Sequence, residues 1–178
     1  MGLVIVGNKM RSLKYSIICA SVFLACQANA FFTGDITVEK EDIVKVYDGD
    51  TFYIDLKGTH EVFGKDLGVR ITGIDTPEVR SSCATEEEKE KERALGNNAR
   101  VILEKLLLEA NSIVIKNPQR DKYFRINGEI WVDGASVKDI LISIGIAVEY
   151  DGNSPKPNWC LGMSIPSQEE VDSPVVTE

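Results

Sequence analysis

The chain has 178 residues, with 20 Lys and Arg, 28 Asp and Glu, a single His and a net charge of −8. That length suits one domain of ordinary size. The acidic balance excludes general, backbone-driven affinity for nucleic acid, which needs clustered Lys and Arg, so any polyanion must be held by a local site.

The first thirty residues read as a cleaved export signal. Lys9, Arg11 and Lys14 precede an apolar run from Tyr15 to Ala25, and Ala28-Asn-Ala30 supplies a small-x-small cleavage pattern after Ala30. The run is too short to span a bilayer, so no stable membrane anchor is expected after processing. Met10 could be the start, since residues 1–9 add nothing a signal needs, and Phe23 and Leu24 suit a lipid-attachment box at Cys26 poorly. Residues 1–30 hold three basic and no acidic residues, leaving 17 Lys and Arg against 28 Asp and Glu, a net charge of −11. Cys83 and Cys160 remain, an even pair in an exported chain, where disulfides persist; two free thiols are the alternative. A bridge would constrain the unfolded chain by roughly 4 kcal/mol in the entropy model. The pair lies far apart in sequence and His60 is the only histidine, which argues against zinc.

Ile43–Tyr47 and Thr51–Leu56 read as strands flanking the turn Asp48-Gly49-Asp50, where glycine suits positive φ. Residues 57–68 read as a loop in which His60 is simply solvated. Val69–Ile74 is a third, half-buried strand that stops at Asp75-Thr76-Pro77-Glu78, because Pro77 can neither donate to a ladder nor continue one. The charge run Glu86–Arg93 opens a helix as a solvated face. Leu95, Ala99, Ile102, Leu103, Leu106 and Leu107 then recur at helical spacing up to Asn111. Ser112–Lys116 and Arg125–Val132 are the fourth and fifth strands, and Val137–Ile144 is a short helix ended by Gly145. Five short strands with a helix after the third predict a mixed α+β, mainly β chain: a five-stranded OB-fold barrel with packed helices.

Asp50, Asp75 and Glu78 form a hard-oxygen set with no soft ligand, suited to Ca²⁺ or Mg²⁺. Arg70 and Arg125 can fork onto phosphate bidentately. A cation and two guanidiniums around a phosphate, beside a carboxylate base, make a phosphodiester hydrolysis site.

Val46-Tyr-Asp-Gly-Asp-Thr51, Arg70-Ile-Thr-Gly-Ile-Asp-Thr-Pro-Glu78, Asp121-Lys-Tyr-Phe-Arg125 and Ile144-Gly-Ile-Ala-Val-Glu-Tyr-Asp-Gly152 resemble, in that order, the staphylococcal-nuclease (thermonuclease) family. The resemblance covers residues 39–152. It leaves 31–38 as an N-terminal extension and 153–178 as a C-terminal extension with an acidic, disordered tail. It implies a monomeric, exported Ca²⁺-dependent endonuclease, periplasmic or secreted, that hydrolyses DNA or RNA to 3′-phosphate ends. Asp50, Asp75 and the Thr76 carbonyl would bind Ca²⁺, with Asp48 supporting them from behind. Glu78 would act as the base or orient the attacking water, and Arg70 and Arg125 would stabilise the charged transition state. Lys122 and Tyr123 would contact the terminal phosphate. Phe124 replaces a glycine of the best-known member, that member's third helix is missing, and Tyr150 falls one position from an expected base-stacking tyrosine. A non-catalytic module that only binds a partner, or a binder of a phosphorylated small molecule, are the rival readings.

Overall fold

The computed structural model describes residues 34–161; the export signal read over residues 1–30 and the acidic tail beyond residue 161 lie outside them. In chain order the elements are β1 (Ile36–Val38), a 3₁₀ turn (Lys40–Asp42), β2 (Ile43–Val46), β3 (Thr51–Ile54), α1 (Glu61–Gly64), β4 (Leu67–Ile71) and β5 (Ile74–Asp75). Then follow α2 (Glu86–Glu109), β6 (Ile113–Arg120), β7 (Ile126–Val132), β8 (Ala135–Ser136), α3 (Val137–Ser143), β9 (Val148–Glu149) and a 3₁₀ turn (Trp159–Leu161).

Five strands make the sheet expected from the sequence: β2, β3, β4, β7 and β6 are neighbours in that order. All pairs are antiparallel except β4 with β7, which run parallel. This is a curled half-barrel of OB-fold type. β1 extends it at β6, and β8 pairs with β7. Alternation along β7 buries Ile126, Ile130 and Val132, which meet Phe52, Val69 and Ile115 in one core. The long helix α2 closes that core with Ala99, Leu103 and Leu107.

α2 begins at Thr85 because the chain supplies a capping box there. The Thr85 hydroxyl accepts from the Glu88 amide at 3.2 Å, and the Glu88 carboxylate accepts from the Thr85 amide at 3.0 Å. Three departures from the expected elements have local causes. Gly73, at φ 83°, splits the third strand into β4 and β5, and β5 pairs separately with β9. Residues 57–68, expected as a loop, hold the one-turn helix α1 and the start of β4; His60 is exposed as expected and caps α1, its Nδ1 accepting from the Val62 amide at 3.2 Å. The fourth strand runs on to Arg120, past Lys116, by way of a register shift.

Candidate active site

Both acidic turns are seated on one face of α2, and small residues make that possible. A Cβ on Gly49 would come within 2.6 Å of Ala99 Cβ and 2.9 Å of Thr76 Cβ. A Cβ on Gly96, one turn earlier along α2, would meet the Glu78 carbonyl carbon at 2.6 Å and the Val79 amide at 2.8 Å. Gly49 is therefore needed for close approach and not for the positive φ expected of it; the positive-φ glycines of the described residues lie elsewhere.

At this seat Asp48, Asp50, Asp75 and Thr76 are all buried. Asp50 Oδ1 accepts from the Thr51 hydroxyl at 2.8 Å and from the Arg70 guanidinium at 2.5 Å. Asp48 Oδ1 accepts from the Asp50 amide at 3.1 Å. Arg70 also stands 3.7 Å from Asp75 Oδ1, so one guanidinium faces both aspartates. Burial pushes the Asp50 carboxyl up to about 8, with Asp48 adding to the shift and Arg70 opposing it. Asp48 is raised mainly by burial too. Asp75 Oδ2 accepts from the Trp159 indole at 2.7 Å, whereas its buried Oδ1 accepts no hydrogen bond. Carboxylates that outnumber the cations facing them, with Asp75 Oδ1 accepting no hydrogen bond although two cationic side chains stand within 4 Å of it, fit a hard divalent cation.

The second arginine is built differently. Arg125 Nε donates to Asp121 Oδ2 at 2.8 Å, and the Arg125 and Tyr123 amides both donate to Asp121 Oδ1 at 2.8 Å. Burial works against the Asp121 carboxylate, but these donors outweigh it and hold its pKa below the ordinary value. The Arg125 stem covers Gly68, whose missing Cβ would stand 2.9 Å from Arg125 Cγ. Gly68 and Arg70 share a face of β4, so the two arginines sit along one side of that strand. Lys122 is exposed beside the Tyr123 ring, itself 68 % exposed. Phe124 sits at φ 67°, where an L side chain is strained, with the Arg120 guanidinium 4.2 Å from its ring. Tyr150 helps line a cleft of about 260 Å³ together with Arg70, Ile74 and Asn127.

The family model of staphylococcal nuclease homologues matches residues 68–160. The chain belongs to that family. Comparison with curated proteins returns no match. The matched residues include Arg70, Asp75, Thr76, Glu78, Lys122, Tyr123 and Arg125, while Asp48 and Asp50 lie before them and reach the site through pairing of β3 on β4.

In this nuclease homologue three further residues stand at the site. Glu92, placed in a solvated face by the charge run, is instead buried. Its Oε1 accepts from the Glu78 amide at 3.4 Å and its Oε2 lies 3.1 Å from Cys83 Sγ. Only its position, on the face of α2 that carries Gly96 one turn on and Ala99 two turns on, could have marked it. Cys83 and Cys160 form a disulfide with a Cα–Cα distance of 5.7 Å, so neither sulfur is a thiolate that could hold a metal with Glu92. That bond brings Trp159 and Lys156 to the acidic turns. Lys156 Nζ bonds to Glu78 Oε1 and lies 3.4 Å from Asp75 Oδ1. A tryptophan next to Cys160 was the available signal, since any bridge to Cys83 carries it there.

Proposed function

We propose that the chain is an exported Ca²⁺-dependent nuclease that hydrolyses phosphodiester bonds of DNA or RNA and leaves 3′-phosphate ends. The observation that carries this reading is the pair of buried aspartates Asp50 and Asp75 facing the partly exposed Arg70, with Glu78 three residues beyond Asp75. Asp50, Asp75 and the Thr76 carbonyl would hold Ca²⁺, and Asp48 keeps the Asp50 backbone in place. A divalent ion held there would polarise a phosphate oxygen as a Lewis acid.

The remaining work falls to the chain's own side chains. Glu78 takes the proton of the attacking water as its oxygen bonds to phosphorus and the 5′ oxygen departs. Arg70 and Arg125 donate to the equatorial oxygens, where charge accumulates, and Asp121 pre-sets the Arg125 fork. Lys122 and Tyr123 take the terminal phosphate. Export is supported by the pattern of residues 1–30 and by the disulfide, a bond that persists in oxidising compartments. The protein is read as a monomer, and the apolar run of residues 15–25 is too short to anchor it in a bilayer.

The test is incubation of plasmid DNA and of RNA with the protein in Ca²⁺ and then in EGTA, beside Glu78→Gln. Cleavage with Ca²⁺ that EGTA and the variant both abolish is expected. Binding without cleavage by the wild-type protein would make it a non-catalytic module.

A further inference from the structure

The segment 151–161 is built to deliver one ammonium group into the acidic cluster. Asp151 Oδ1 opens it as a cap, accepting from the Asn153 and Ser154 amides at 3.0 and 2.9 Å and from the Ser154 hydroxyl. Pro155 and Pro157 flank Lys156, each fixing its own φ and holding the residue before it extended. The far end is fastened twice. Trp159 is 2 % exposed and donates to Asp75, and the next residue, Cys160, is bonded to Cys83. Between these anchors the Lys156 side chain, about half exposed, ends on Glu78 and Asp75.

Those two carboxylates are the ones the proposed chemistry needs for other purposes. Asp75 Oδ1 is the oxygen that accepts no hydrogen bond, and Glu78 is the proposed proton acceptor. An ammonium 3.4 Å from Asp75 Oδ1 already supplies one of the two positive charges that a divalent ion would bring. A doubly charged ion and an ammonium at the same oxygen repel one another strongly in a partly buried site. We propose that Lys156 is a built-in competitor for the divalent cation: its ammonium holds Asp75 and Glu78 and must leave both when the cation enters. It thereby sets the metal affinity of the site and keeps Glu78 from acting until metal is bound. This inference rests on the cation site read above, and it adds a residue that none of the four motifs contains.

The mature, disulfide-bonded protein tests it without substrate. Trp159 lies against Asp75, so terbium bound at the cluster should luminesce on indole excitation, and Ca²⁺ should displace it. Lys156→Met is expected to tighten terbium and Ca²⁺ binding at least tenfold. Lys156→Arg, which keeps the charge, is expected to stay within about threefold of wild type. In parallel, acylation footprinting of the wild-type protein should show Lys156 labelled more slowly than the exposed Lys122, and Ca²⁺ should remove that protection. Equal affinity in wild type and Lys156→Met, equal tightening in both variants, or protection unchanged by Ca²⁺ would overturn the competitor role and leave the cation site standing. Absence of any terbium or Ca²⁺ binding in all three proteins would take down the cation site, and the competitor with it.

Discussion

Replacing Gly96 by alanine separates the placing of Glu78 from the stability of the fold. The added methyl carbon would stand 2.6 Å from the Glu78 carbonyl carbon, 2.8 Å from its oxygen and 2.8 Å from the Val79 amide. All three are backbone atoms, so no rotamer change relieves the clash. Reaching ordinary carbon contact requires the helix and the turn to part by on the order of 0.9–1.4 Å. Alanine in mid-helix gains about 1 kcal/mol over glycine, and overpacking costs about 1–3 kcal/mol, so the net loss should stay below about 2 kcal/mol. A catalytic group moved by about 1 Å can cost about 100-fold in rate. The expected signature is therefore a kcat lowered about 100-fold with only a small fall in thermal midpoint. Steady-state cleavage of a labelled oligonucleotide at saturating Ca²⁺, with circular-dichroism melts, measures both, and Asn97→Ala on the exposed side of α2 is the control. Wild-type kcat in Gly96→Ala would refute the claim that this helix face sets the position of Glu78.

Arg70→Lys and Arg125→Lys should each lower kcat about 10² to 10³-fold while substrate affinity changes much less, because a lysine keeps the charge and loses the fork; near-normal kcat in both folded variants would remove the arginines from the chemistry. Changing both Cys83 and Cys160 to serine opens a connection of 77 residues and should cost about 4 kcal/mol, read as a lowered urea midpoint. Burial and then Asp48 hold Asp50 near 8 in the fold, well above its unfolded value. Its contribution is therefore present below about pH 4 and lost as pH rises towards 8. Ca²⁺-free protein should lose stability across that window, and saturating Ca²⁺ should flatten the curve; urea midpoints showing no such slope without Ca²⁺ would count against it.

What could be read from the sequence, and what could not, divides along the range of the interactions involved. The five main strands of the sheet and the helix α2 announce themselves through periodicity and, for α2, an acidic first turn, which are local properties of consecutive residues. The acidic turns and arginines are legible for a related reason, since each motif is a short string whose chemistry is fixed by residue type. Glu92 and Lys156 carry no such local mark. Glu92 belongs by composition to a run of eight charged residues, and only the pitch of α2 turns it inward beside Gly96 and Ala99 while its neighbours face solvent. Lys156 meets Glu78 across 78 positions, a contact that exists because the disulfide and the buried Trp159 fold the C-terminal segment back. Gly49 shows the same limit from the other side. An Asp-Gly-Asp string suggests a backbone requirement, yet the decisive constraint comes from Ala99 on a helix fifty residues away. In this chain the short motifs name the residue types of the candidate site, and long-range packing, on α2 and through the Cys83–Cys160 bridge, decides where those groups stand.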